Sequence, residues 1–301
     1  MSTARCVHPP RFGRELSESD QSGGGRRVGR VTERVIRAVF MVDARLTAMV
    51  GDVGTVILSP HLDDAVLSCW HVLTKRGELM VINVFAGVPA GLDAPGWWDR
   101  HTGATDSAER VRERIEEDRR ALALAGRTAV NLGFLDEQYR HEAPPLAALT
   151  EQIERLLAPG ARICAPAALA DHADHVLVRA AALELRAAGF AVSLYADLPH
   201  ATVHGWPAWV TGRSAQAAKD LAGAMWDAVL AGTGAMTPAV HHLHVEDHAR
   251  KLTAVRMYGT QLQALRELAG RPLTDPATLG YEVAWSTASR AGAGERLSRR
   301  F

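Results

Sequence analysis

Cysteine is scarce: Cys6, Cys69 and Cys164 are the only three in 301 residues. They lie far apart with no C-x-x-C pair, which argues against a disulfide framework or an all-thiolate metal site and fits a reducing cytoplasm. Neither sign of charge is in excess. Lys+Arg of 34 against Asp+Glu of 34 leaves a formal net charge of +0, so no field steers nucleic acid or an anionic membrane toward the chain. No uninterrupted apolar run approaches the ~20 residues of a spanning helix, and the N-terminus has no apolar signal core. The expectation is a soluble, unexported, cytoplasmic protein with no nucleic-acid partner and no membrane insertion. There is no internal repeat, and homo-oligomerisation is left open.

What is present is enough chain for one large α/β domain, since domains run to roughly 100–200 residues as a soft prior. Residues 1–40 are expected to be a flexible extension. From Met1 to about Arg30, Pro9-Pro10, Gly23-Gly24-Gly25 and scattered Arg stand among few apolar residues, a composition that does not repay the entropy of ordering. Met41 is a candidate alternative start, and residues 41–301 form the folded domain. From Thr55 onward strands and helices alternate, the pattern of a parallel sheet with crossover helices on both faces, a Rossmann-like arrangement. Strands are expected at Thr55–Ser59, Glu78–Phe85, Ala129–Leu132, Ile163–Ala165, Ala191–Tyr195 and Tyr281–Trp285. Helices are expected over Ala65–Lys75, Ser107–Ala125, Leu146–Leu157, Asp174–Ala188, Ala215–Leu230 and Val245–Leu268. The Gly-, Pro- and Trp-rich stretch from Ala86 to about Thr105 is long for a loop in a compact domain, and such loops are usually functional or disordered.

Two short runs carry the chemistry: Pro60-His61-Leu62-Asp63-Asp64 and Asp171-His172-Ala173-Asp174-His175. Each follows an apolar strand, and ligands of open parallel sheets bind outside the carboxyl ends of strands. Together they offer ligands, a base and an acid for a divalent ion such as Zn2+, which takes imidazole and carboxylate readily. His61 and Asp64 can close on one ion and His175 completes the set. Asp63 between them points at a water on that ion, whose pKa falls toward ~7. His172 is then free to donate to an oxyanion or a leaving amine, and Asp174 to orient one of the imidazoles.

A lone H-x-D-D at a helix start reads more simply as an N-cap with acidic residues favouring the dipole; the second motif turns the balance toward a metal site. His71 and Cys69 read as packing residues. His241, His242, His244 and His248 suggest a second metal site, but Glu246 and Asp247 beside them suit a solvated helix start. Arg110, Arg112, Arg114, Glu116, Glu117 and Asp118 read mostly as a solvated face with (i, i+4) pairs. A non-catalytic metal or nucleotide-binding module is the reading from another class, yet no G-x-G-x-x-G follows a strand, and a pure metal holder has no use for Asp63.

Pro60 through Ser68, with His172-Ala173-Asp174-His175, resembles the PIG-L/LmbE superfamily of zinc-dependent N-deacetylases, over about Val53 to Trp285. Further stretches are similar: Trp98-Asp99-Arg100 with Thr102-Gly103, Arg114 followed by Glu117-Asp118, Gly133 to Asp136, Asp197-Leu198-Pro199, and Lys251 through Tyr258 to Gln261. The resemblance implies one Zn2+ per chain held by His61, Asp64 and His175, with Asp63 as general base and His172 with Asp174 as the supporting pair. The commonest first motif ends Asp-Asp-Glu, whereas Ala65 stands here, as in a subgroup found among deacetylases of natural-product pathways. Some relatives carry a tyrosine at the position of Ala170, and a tyrosine is usual where His200 stands.

The expected activity is hydrolysis of an N-acetyl group on an amino sugar or its glycoconjugate, a small-molecule substrate. Trp98 and Asp99, with Trp97, are expected to cover a sugar face and bond its hydroxyls, Asp136 to make a similar contact, and His200 to touch substrate at the rim. An amidase acting on a thiol conjugate or another non-sugar amide is the alternative.

Overall fold

The computed structural model describes residues 54–203, 205–212, 220–270, 273 and 276–287. The expected extension over 1–40, Met41 and the first turn of the helix expected from Ala215 lie outside them. Seven strands form one sheet: β1 (Thr55–Ser59), β2 (Leu79–Asn83), β3 (Ala129–Asn131), β4 (Arg162–Pro166), β5 (Ala191–Tyr195), β6 (Thr237–His242) and β7 (Tyr281–Ser286), in the order β3-β2-β1-β4-β5-β7-β6. The first five run parallel, while β7 pairs antiparallel with both β5 and β6. Val56, Ile57 and Leu58 of β1 are wholly buried, as expected of an apolar, β-branched run covered on both faces. β6 is the one strand the sequence reading passes over. Pro238 and the polar His241-His242 break an apolar pattern, and the strand lies at the sheet edge, where proline is tolerated.

The chain order reverses direction between β1 and β4, which are neighbours. Such a switch point is where the loops leaving two strands part and open a crevice. The first motif leaves β1 and the second leaves β4, so the fold sets them on either side of that crevice. Right-handed crossovers in opposite directions also put the helices after β1 and after β4 on opposite faces of the sheet.

Apart from single turns at Ala208–Thr211 and Pro276–Leu279, the α-helices are α1 (Asp64–Ser68), α2 (Trp70–Leu73), α3 (Trp97–His101), α4 (Ser107–Ala123), α5 (Leu146–Glu154), α6 (Ala173–Ala187), α7 (Leu221–Leu230), α8 (Val245–Val255) and α9 (Leu262–Ala269). Four expectations need correcting. The helix expected over Ala65–Lys75 is broken at Cys69, because Glu282 of β7 accepts the N–H groups of Trp70 and His71, each at 2.8 Å, and starts a new helix there. The helix expected over Val245–Leu268 divides into α8 and α9 around the turn at Tyr258-Gly259-Thr260. The charged face of α4 is only partly solvated: Arg114, Glu117 and Asp118 are buried, Asp118 accepting from Asn83 and Tyr258 and Glu117 from Thr260. The stretch from Ala86 to Thr105 carries α3 rather than remaining loop throughout. At the helix start expected near Glu246, His244 takes the N-cap position of α8.

Glu282 does more than cap α2. Its carboxylate meets Lys251 Nζ of α8 at 2.6 Å and His71 Nδ1 at 2.6 Å, and both Glu282 and Lys251 are completely buried. Burial pushes the carboxyl up, but Lys251 and His71 outweigh it and hold it at about 2, below the ordinary 4.5. A depressed carboxyl contributes stability above its unfolded pKa and loses it as pH falls toward the folded value. The wild type is therefore expected to lose stability between about pH 4.5 and pH 2. In Glu282→Gln, Lys251 is left as a buried unpaired charge, costing about 3–5 kcal/mol. Denaturant titration should show that loss at pH 7 and a shallower acid limb; equal stability of the two proteins at pH 7 would refute the role given to the pair.

Candidate active site

At the end of β1 the chain turns through His61 into α1. Asp63 occupies the N-cap position of α1 but makes no side-chain capping bond. Ser59 Oγ instead accepts the N–H of Ala65 at 3.0 Å. Asp64 turns back, its Oδ2 accepting the backbone N–H of His61 at 2.8 Å. The simple N-cap reading of H-x-D-D therefore does not describe this turn. With capping delegated to a serine, both carboxylates are available to the crevice.

The second motif enters from the loop after β4, where Ala168 and Asp171 adopt left-handed backbone with φ of 54° and 59°. For alanine this conformation costs free energy, and such strain gathers where side-chain placement is over-determined. His172 is the N-cap of α6, and its Nδ1 accepts the N–H of Asp174 at 3.3 Å. An accepting Nδ1 fixes the tautomer of a neutral ring, so Nε2 carries the proton and remains a donor. Burial, and then the neighbouring histidines, hold His172 down at about 2, so at neutral pH it is a neutral donor and not an imidazolium acid.

The two motifs meet on Asp64. His175 Nδ1 donates to Asp197 Oδ2 at 3.0 Å, leaving Nε2 buried with no hydrogen-bond partner among the described residues, 3.5 Å from Asp64 Oδ2. His61 Nε2 donates to Asp174 Oδ2 at 3.0 Å, leaving Nδ1, also 3.5 Å from Asp64 Oδ2. Both imidazoles are thus oriented by an outer carboxylate, an arrangement that metal-binding histidines use, and the remaining nitrogens converge on one carboxylate oxygen. One ligand atom from each of His61, Asp64 and His175 lies within 4.8 Å of the others. The orphaned His175 Nε2 and the donor set suit a divalent ion. A second grouping within the same limit, His61, His172 and Asp174, shares His61. The carboxylate of Asp174 goes to His61 and to Arg140, and only its backbone touches His172. The pair expected between His172 and Asp174 is made through the main chain.

The buried charges compensate one another. Burial raises Asp64, but His175 and His61 outweigh it and depress its pKa. Asp63 is raised from 3.8 to about 6 by burial and by Asp64, opposed by Arg114, His61 and His175. Asp174 is lowered, His61 and Arg140 overcoming its burial. The two imidazoles facing Asp64 are raised: His61 against its burial by Asp174 and Asp64, His175 against its burial by Asp64 and Asp197.

These groups open onto a cavity of about 310 Å³ lined by His61, Asp63, Asp64, Arg114, Asp136 and His172, with Trp98 and His200 also on its wall. Asp99 is not among them. It is fully buried, accepting from Tyr139 Oη at 2.6 Å, and thereby fastens α3 to the turn at Glu137–Tyr139. Trp98 is fixed in turn, its Nε1 donating to Gln261 Oε1 at 2.6 Å. Asp197 and Arg114 stand in stretches that resemble the family but have no site role assigned from sequence, and Arg140 is passed over. Asp197 lies two residues past the end of β5, so the carboxyl-end position that marks both motifs was the signal for it. Arg114 lies in a run of alternating charge, which conceals a buried residue 3.8 Å from Asp136.

Residues 56–186 match the family model of the GlcNAc-PI de-N-acetylase, PIG-L. No curated protein sequence matches the chain. Among solved structures, an antimicrobial reagent A40926 pseudoaglycone deacetylase is 26% identical with a TM-score of 0.57, covering 79% of this chain and 100% of its own. A triple mutant of a deacetylase involved in the teicoplanin biosynthetic pathway is 25% identical with a TM-score of 0.58, covering 77% and 96%. A deacetylase in complex with teicoplanin, at 23% identity and a TM-score of 0.56 over 77% and 96%, shares the fold. Residues 56–186, which carry both motifs and the strands that present them, are thus the part of the chain that matches the PIG-L family.

Proposed function

We propose that the protein is a cytoplasmic, zinc-dependent N-deacetylase that hydrolyses the N-acetyl group of an amino sugar or its glycoconjugate in natural-product biosynthesis. The observation that carries the reading is the convergence of His61 Nδ1 and His175 Nε2 on Asp64 Oδ2, with the uncommitted carboxylate of Asp63 beside it. The deacetylases of the A40926 pseudoaglycone and of the teicoplanin pathway, alike in fold at 26% and 25% identity, support the substrate class. The cavity wall supports it too. Trp97, Val203 and Leu268 are exposed apolar residues on its lining, a surface that a free amino sugar leaves in water and a larger conjugate covers.

His61, Asp64 and His175 hold one Zn2+, which when bound polarises the amide carbonyl and makes water more acidic. Asp63 removes the proton of the attacking water and delivers it to the amide nitrogen as the C–N bond breaks, so that acetate and the free amine leave. Its raised pKa, near 6, suits a group that takes and returns a proton near neutrality. The buried Arg114 guanidinium opposes the rise in the Asp63 pKa, and so favours the ionised base. His172 Nε2 donates to the oxygen on which charge develops. Asp136 accepts from a sugar hydroxyl, and the Trp98 ring lies against the apolar face of the sugar. Asp174 acts one step removed, by orienting His61.

Three measurements test this reading. Metal analysis should give about one Zn2+ per chain in the wild type and loss of it in His61→Ala, Asp64→Ala and His175→Ala; full occupancy in all three variants would sink the site. Asp197→Ala removes only the partner of His175 and should weaken zinc affinity by about 10–100-fold, seen in a chelator competition. Asp63→Asn should keep its zinc and lose about 10²–10⁴-fold in the rate of acetate release. A near wild-type rate in Asp63→Asn would show that another group moves the proton, and loss of the ion would make Asp63 a ligand.

A further inference from the structure

His200 is a fourth imidazole at this site and has no part in the scheme above. It begins the turn at His200–Thr202, just beyond β5, held by the N–H of Ala201 donating to Asp197 O at 2.8 Å. Its ring meets His172 edge-on, with centroids 5.4 Å apart at 72°, and His175 in the same manner at 5.0 Å and 70°. It lines the cavity. Its nitrogens have no hydrogen-bond partner among the described residues, and it belongs to neither group that could hold an ion. A half-buried imidazole with both nitrogens uncommitted can hydrogen-bond a ligand or water that enters the cavity. Whether neutral or protonated, an imidazole carries at least one N–H donor.

The sheet decides which side of the site this donor serves. Asp63 comes from the loop after β1, His172 from the loop after β4, and His200 from the turn after β5, in the spatial order β1-β4-β5. The base stands at one end of that row, and the rings of His172, whose Nε2 is 3.7 Å from Glu137 Oε1, and His200 stand together at the other. In amide hydrolysis the attacking water and the developing oxyanion occupy different sides of the carbonyl carbon, so donors grouped away from the base address the oxygen. We propose that His200 is a catalytic residue that, paired with His172, hydrogen-bonds the carbonyl oxygen of the scissile amide as it becomes an oxyanion. No proton is transferred by His200; its N–H is a donor throughout. This inference rests on the deacetylase reading.

The test compares wild type, His200→Phe, His200→Gln and Asp63→Asn in full-length zinc-loaded protein. Acetate release is followed from N-acetylglucosamine and from an aryl glycoside of it, together with zinc content and Tm. Phenylalanine keeps the ring and its edge contacts but has no donor, whereas glutamine returns an N–H. Removing one oxyanion donor costs about 10²–10³-fold in kcat. His200→Phe is expected to lose that factor with KM, zinc content and Tm near wild type, and His200→Gln to recover most of it. The loss in His172→Ala and His200→Phe combined should be smaller than the product of the two, as for donors to one atom. Unchanged kcat in His200→Phe, while Asp63→Asn is inert, overturns the role of His200 and leaves the deacetylase reading standing. So does a fall in kcat accompanied by loss of zinc and not rescued by glutamine, which makes the ring a structural support. No acetate from either substrate with wild type overturns the deacetylase reading, and the role of His200 with it.

Discussion

Charge buried at the carboxyl end of a parallel sheet has to be answered locally, and at this site Asp64 is where the answers meet. One of its oxygens accepts the His61 N–H and faces an imidazole nitrogen from each motif. The groups around it follow from that. Each imidazole is turned toward Asp64 by a carboxylate on its far side, Asp174 for His61 and Asp197 for His175. Asp174 is in turn answered by Arg140, which also lies over the Phe85 ring at 4.8 Å. Asp197 spends its other oxygen on the N–H of Leu169 in the strained loop after β4. Unanswered, each buried carboxylate would cost several kcal/mol. Linked as they are, they fix ring orientations that hydrophobic packing alone would leave free.

A second buried ionic system works at a distance from the first and has a different task. Lys251, Glu282 and His71 join α8, the antiparallel strand β7 and the start of α2. This ties the mixed edge of the sheet to α2, the second helix after the first motif. The fold therefore keeps its chemical carboxylates and its structural carboxylate apart, with Glu282 fully paired and Asp63 left without a side-chain bond.

The parallel sheet and both motifs were legible in the sequence because their signals are local. A β-branched apolar run ending in His-x-Asp-Asp reads as strand and turn without further context, and the second motif beside it makes it a candidate ligand set. What escaped was written by distant residues. The break at Cys69 depends on Glu282, 212 residues beyond Trp70, and nothing between Ala65 and Lys75 announces it. Arg114, Glu117 and Asp118 look like a solvated face because alternating charge has the same pattern whether it meets water or a buried polar cluster. Asp99 was expected in the cavity with its neighbour Trp98, yet on a helical turn adjacent residues point apart, and Tyr139 draws it inward. β6 was hidden by its own edge position, where polar residues and proline do not betray a strand.

The two halves of the site come from β1 and β4, strands adjacent in the sheet and far apart in the chain; His61 and Asp174 are separated by 113 residues. Neither half can assemble its partner's ligands before those strands pair, so a chain folded only as far as β3 owns half a coordination sphere. An ion seated across the crevice would then act as a staple through the middle of the sheet, its binding free energy added directly to the resistance of the whole domain to unfolding. Metal supply and protein lifetime in the cell would then become one variable.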